Sequence, residues 1–284
     1  MTAGGLISMS LTSFLKDNAD VRKRFAQEFK KPEFLATKAL VAPSLTKHPP
    51  TVGTAFDYLL RFLVNRLNRR AIAGCWVAEE AVDHLADDPA LHAKGKKIVS
   101  RAKKHFADYL KTGHMCEALM KSALLLATLD AIWRSPRGRE KIGVVLENGV
   151  QDLKNLVAAF DQTLFTAKRL CLLNPSFGRA SSLVGGADAD LVVDDTIIDV
   201  KTTTDLSLKT EAFHQVLGYY VLHHIGGVGG LNPKPTITKV AIYFSRHGYL
   251  HVMQLSEVID SKTFPEFVRW FQGRSAEKFQ SVAE

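Results

Sequence analysis

The strongest constraint on what this chain can fold into is residues 185–203, GGADADLVVDDTIIDVKTT. Val, Ile and Thr suit a pleated, half-buried surface, yet five aspartates and a lysine recur among them. Strand side chains alternate between faces, so residues two apart share a face. If Asp194 and Asp195 are the central residues of a two-residue turn, Val193 faces Thr196. That register sets Asp190 opposite Asp199 and Asp188 opposite Lys201. These four then project to one side, while Leu191, Val193, Ile198 and Val200 pack on the other. Facing side chains lie about 4.5–5.5 Å apart at Cβ, where like charges destabilise a sheet. Two ionised carboxylates that close need a shared proton or cation. Lys201 supplies one positive charge, and a divalent metal is the natural second. Asp194 and Asp195 read as solvated turn residues. Asp199 does not, because TIIDVKT has no other reason to interrupt so apolar a strand.

Around this hairpin the chain divides near residue 171. Residues 1–170 read as a helical region. LTSFLKDNADVRKRFAQEFKK has helical spacing, and residues 53–71 place Phe56, Leu59, Leu60, Leu63 and Leu67 on one stripe. Residues 71–86, 92–111, 115–135 and 147–170 continue in the same style, interrupted at Pro89 and at RSPRG. From 171 the pattern changes to a turn-rich stretch with short apolar runs and then the two hairpin strands. A helix (208–225), a Gly-rich loop (226–235), a strand pair turning at SRHG and a last helix (263–279) follow. The order predicts an α/β core in residues 171–284 carrying a helical elaboration, the whole one compact unit.

Composition narrows the partners. No apolar run approaches the roughly 20 residues of a membrane span, so no membrane partner is expected. The opening MTAGGLISMSLTSFLKDN lacks the basic and continuous apolar regions of a leader. Cys75, Cys116 and Cys171 are scattered and have no CxxC spacing, which argues for a reducing, cytoplasmic setting and against a disulfide framework. The net charge is +8. Residues 92–111 hold seven Lys or Arg against one Asp, among them Lys96, Lys97, Arg101, Lys103 and Lys104, and RSPRGREK adds Arg137 and Arg139. Such segments suit a polyanion such as a nucleic acid, and a solvated helix face equally.

Asp190 on one strand, Asp199-x-Lys201 on the next, and Gln215-x-x-x-Tyr219 on the following helix resemble the PD-(D/E)XK nuclease superfamily, in its RecB-like branch. That branch also carries an earlier helix opening with a Gly and, four residues on, a His or acid. Gly53 and Asp57 in VGTAFDYLLRF match it, with Asp where His is usual. The resemblance implies a restriction-endonuclease-like mixed β-sheet flanked by helices, a first core helix at about 53–70, and a helical insertion over 72–170. It implies a nuclease that hydrolyses phosphodiester bonds, of DNA ahead of RNA, in repair, recombination or anti-phage defence. Asp190, Asp199 and the Val200 carbonyl would hold Mg²⁺ or Mn²⁺, with Asp57 completing the sphere or holding a second ion. An all-oxygen sphere suits these hard ions. Lys201 would position the attacking water, oriented by Gln215 with Tyr219 beside it. Relatives with an iron–sulfur cluster use four cysteines, so none is expected here.

Asp188 stands in reserve for Asp190, and Glu147, with Asp152, in reserve for Asp57. His223–His224 reads as a partly exposed pair, His247 as a turn residue, and Arg246 as a candidate phosphate contact. GGVGG lacks the Lys-Ser/Thr of a phosphate loop, and the acids of AEEAVDHLADD read as a solvated face. Two further outcomes compete with catalysis: the same fold kept as a silent module that binds nucleic acid or a protein partner, and a helical scaffold with surface acids. A protein partner or a second copy of the chain is the other partner class expected.

Overall fold

The computed structural model describes residues 10–134 and 138–280. The start of the segment read for a leader (1–9) and Arg137 lie outside them. Helices α1 (Leu11–Asp17), α2 (Ala19–Glu28) and α3 (Pro49–Leu67) are followed by a short strand β1 (Ile72–Ala73). Next come α4 (Val77–Asp83), α5 (Pro89–Thr112), α6 (Glu117–Arg134) and α7 (Gly149–Ala158). The second part holds β2 (Cys171–Leu173), α8 (Arg179–Ser182), β3 (Leu191–Val193), β4 (Thr196–Lys201) and α9 (Thr210–Gly226). β5 (Lys239–Phe244), β6 (Tyr249–Gln254), α10 (Leu255–Val258) and α11 (Phe264–Gln280) complete it. Among the described residues, eleven α-helices surround one six-stranded sheet of order β1-β2-β3-β4-β5-β6. It is mixed: β1/β2 and β4/β5 are parallel, the other pairs antiparallel. The chain is an α/β protein.

Period-two alternation sorts the sheet between two cores. Cys171, Leu173, Leu191, Val193, Ile198, Ala241 and Tyr243 pack against α3 to α7. Leu172, Val192, Ile197, Val240, Ile242 and Phe244 pack against α1, α2, α9 and α11. Each large apolar side chain buried this way contributes about 1.5–3 kcal/mol. Parity alone therefore puts Asp199 and Lys201, neighbours of Ile197, on the α9 side. Mid-helix Gly218 is what lets α1 press onto α9, since a Cβ there would come 2.8 Å from Leu11 Cδ2.

Local chemistry sets the boundaries that periodicity misplaced. The first expected helix splits because the Asn18 side chain donates to Phe14 O at 2.6 Å and closes α1. Residues 71–86 are not one helix: Ile72 and Ala73 pair with β2, Gly74 N donates to Leu173 O, and α4 starts at Val77. The helix expected to reach residue 170 stops at Ala158, and Asp161 then caps a separate 3₁₀ turn through Thr163 N (2.9 Å). α5 runs beyond the expected 92–111 at both ends, with Asp88 accepting from Ala90 N and Leu91 N and Gly113 closing it at φ 75°. No helix among the described residues is long and apolar enough to cross a membrane.

Candidate active site

The hairpin has the expected turn. Val193 pairs with Thr196, Val192 with Ile197 and Leu191 with Ile198. Asp194 takes a left-handed φ of 52°, and its carboxylate accepts from the backbone of Lys168, Arg169 and Leu170. Asp195 accepts from Thr238 Oγ1 and pairs with Lys239 (3.2 Å). Both are half-buried staples that hold the turn, so the expectation of solvated residues is corrected.

Beyond Leu191 the ladder to β4 ends. The chain instead follows residues 174–176, where Asn174 N donates to Asp190 O and Asp188 bridges Ser176. Asp190 is therefore not a ladder partner of Asp199. Its carboxylate reaches across and accepts from Val200 N at 2.6 Å. The expected pairing of Asp188 with Lys201 is overturned by the same divergence. Asp188 lies exposed on the cleft wall with Glu80 and Arg61, away from Lys201.

Three elements meet at this point. β4 supplies Asp199, 1% exposed, and Lys201, whose Nζ lies 2.8 Å from Asp199 Oδ2. α9 faces them: Lys201 Nζ donates to Gln215 Oε1 (2.9 Å), and Gln215 Nε2 donates to Tyr219 Oη (2.7 Å). The four-residue spacing that puts Gln215 and Tyr219 on one helix face thus makes a relay from Asp199 to Tyr219. α3 contributes Asp57, paired with Arg61 at 3.0 Å, with Gly53 and Thr54 beside it. Asp57, Asp190 and Gln215 lie where two hollows join. One, of about 460 Å³, is lined by Pro49, Pro50, Gly53, Asp199, Lys201 and Thr202. The other, about 980 Å³, runs between Arg61, Cys75, Glu80, Trp133, Asn174 and Asp188.

The electrostatics follow from burial and crowding. Burial, then the Asp57 and Asp199 charges, push the Asp190 carboxyl well above the usual carboxylate range against the Val200 N–H and Lys201. Burial also raises Asp199, opposed by Lys201 and aided by Asp57. Burial alone would lower Lys201, but Asp199 and Asp190 more than offset it, and its pKa is raised. Lys201 is a cation here. Burial and the two aspartates likewise raise the Tyr219 hydroxyl, so it serves as a neutral hydrogen-bonding group.

Asp57, Asp190 and Asp199 are the side chains that could hold a hard divalent cation. The donor set fits one: it is all oxygen, its charges repel, and Asp57 Oδ1 is buried without a hydrogen-bond partner among the described residues. As they stand, no three His, Cys, Asp or Glu side chains among the described residues form a ready metal cage. Asp199 is engaged by Lys201 and Asp190 by Val200 N–H.

Other expected residues fall elsewhere. Glu147 is exposed ahead of α7 and lines neither hollow. Asp152 is fully buried in a pair with Arg246 (2.7 Å), itself 1% exposed, so neither is a stand-in for Asp57 or a phosphate contact. Of the histidine pair, His223 is buried and His224 exposed, and His247, in the turn between β5 and β6 as expected, is buried between Ala39 O and Thr204 O. Lys96, Lys97, Arg101, Lys103 and Lys104 are exposed along α5. Lys103 pairs with Glu79 and Arg139 with Asp87. Cys75 is exposed, Cys116 half-buried and Cys171 buried, its thiol pushed up to about 12 by burial and Asp194. The residue that pattern reading missed is Arg61. Its signal was a charge inside the apolar stripe of α3, four residues after Asp57. Compared by sequence and by structure with known proteins, the chain matched no family model, no curated protein and no solved structure.

Proposed function

We propose that this chain is a metal-dependent nuclease of PD-(D/E)XK type, hydrolysing phosphodiester bonds of DNA ahead of RNA. The observation that carries the reading is the relay Asp199–Lys201–Gln215–Tyr219, joined in one cleft by Asp190 and Asp57 from separate elements. The element order supports it: an antiparallel hairpin bearing the acids, a helix bearing Gln and Tyr, then a strand parallel to β4. The exposed basic face of α5 offers a phosphate-backbone surface.

A Mg²⁺ or Mn²⁺ held by Asp57, Asp190 and Asp199 would polarise the phosphodiester and lower the pKa of its bound water. The rest falls to the chain. Asp199 and Gln215 fix the Lys201 ammonium from two sides, leaving its third N–H for the attacking water or a phosphate oxygen. Charged throughout, Lys201 positions and stabilises rather than abstracts a proton. Tyr219 fixes which way the Gln215 amide points.

The test is cleavage of linear, circular and single-stranded DNA and of RNA with Mg²⁺ or Mn²⁺. Asp199→Ala and Lys201→Ala should each lower the rate at least about a thousandfold while far-UV circular dichroism stays unchanged. Cutting at the wild-type rate by both variants sinks the reading. A silent module that binds nucleic acid or a protein is favoured by one observation, that Asp199 is already neutralised by Lys201. Such a module should take up no Mn²⁺.

A further inference from the structure

The cluster carries one more fixed cation than its motifs require. Arg61 is 6% exposed and lines the larger hollow. Its guanidinium meets Asp57 Oδ2 at 3.0 Å, and its Nε donates to Asp57 O at 3.2 Å. It lies 4.4 Å over the Tyr58 ring, whose hydroxyl is itself clamped, donating to Asp130 (2.7 Å) and accepting from Ala78 N (3.1 Å). A guanidinium does not give up its proton in proteins. We propose that Arg61 is the resident second cation of the site and that the cleft consequently takes one divalent ion, not two. This rests on the metal-dependent reading above.

Two-ion hydrolytic centres hold their metals about 3.5–4 Å apart, and a carboxylate that bridges them gives one oxygen to each. Each of the three candidates already commits one oxygen to a cation or an N–H, so each offers one uncommitted oxygen rather than the two a bridge would use. Asp57 Oδ2 is held by Arg61 and Asp190 Oδ2 by Val200 N–H at 2.6 Å, while Asp199 Oδ2 is ion-paired with Lys201 at 2.8 Å without hydrogen-bond geometry. Each keeps one, and that of Asp57 is buried and unpartnered among the described residues. Charge counts the same way. With all three carboxylates ionised, as metal ligation requires, Lys201 and Arg61 leave one negative charge. One divalent ion turns this into one positive, which a single phosphodiester neutralises. A second ion would leave two positive charges uncompensated inside the cleft.

The experiment is Mn²⁺ titration of the whole chain, read by calorimetry and by the electron-paramagnetic signal of free Mn²⁺. One Mn²⁺ per wild-type chain is expected, and two for Arg61→Met, which frees Asp57 Oδ2 and removes the resident charge. Arg61→Lys, which keeps the charge if the methionine variant does not fold, should bind one. Two ions on the wild-type chain, one on a folded Arg61→Met, or two on Arg61→Lys would each overturn the assignment. No Mn²⁺ on the wild-type chain overturns it together with the metal-dependent reading, whereas a count of two leaves that reading intact.

Discussion

Two places in this molecule bury charge, and they solve the problem differently. At the turn after β5, Arg246 lies against Asp152 through two contacts, at 2.7 and 3.2 Å. Ala42 O accepts from the same guanidinium, and Leu45 N donates to the same carboxylate. Charge and hydrogen bonds balance there, and nothing is left over for a ligand. In the cleft, Asp57, Asp190 and Asp199 face Lys201 and Arg61, an oxygen of Asp57 has no partner among the described residues, and burial raises two carboxyls. Burial of charge alone is therefore a poor sign of function. The informative quantity is the remainder after pairing, because an imbalance that weakens the fold needs a ligand to relieve it.

The largest way to break this comparison is to unbalance the balanced pair. Arg246→Met should cost about 3–5 kcal/mol in urea unfolding, because Asp152 is left buried and uncompensated. Adding Asp152→Leu should recover most of that loss, since replacing both partners with apolar groups is often near neutral. If Arg246→Met unfolds like the wild-type chain, the pair is not the structural element described.

His223 sharpens the contrast as a third solution, a buried titratable group kept neutral. Burial, then Lys234 and His224, lower it to about 4. Its folded pKa lies below the unfolded value, so the native state resists taking up the proton. Stability is full above about pH 6.5 and falls as pH drops from there toward about 4. The fall should be about 1–2 kcal/mol between pH 7 and 5, and His223→Gln should flatten it. An unchanged slope in that variant would assign the acid limb to other groups.

How much of this was legible depended on the range of the interactions. Alternation in 189–201 placed the hairpin, its turn and the sidedness of Asp199 and Lys201, because a two-residue turn leaves one register. The four-residue spacing put Gln215 and Tyr219 on one face of α9. The sequence did not reveal where the ladder ends. Asp188 was misplaced because residues 188–190 find their partners in 174–176, a competition no local pattern records. Asp152 and Arg246 were misread because each is an ordinary polar residue until the fold joins positions 94 apart. β1 was hidden because two residues are too few for a period, and only β2 makes them a strand.

The smallest predicted effect tests the comparison from the cleft side, where the sign should reverse. Asp190 is pushed up by burial and by two like charges, so its ionised form opposes folding at neutral pH. Asp190→Asn removes that charge and keeps an oxygen that can accept from Val200 N–H. It should therefore raise stability by about 1 kcal/mol at pH 7.5 while cleavage is lost, the trade expected of a site strained for function. Saturating Mn²⁺ should narrow the difference by stabilising the wild-type chain, since a ligand that binds only the native state adds stability by mass action. If Asp190→Asn instead destabilises the metal-free protein, the cleft is as balanced as the Arg246 pair. The excess of carboxylate would then be structural.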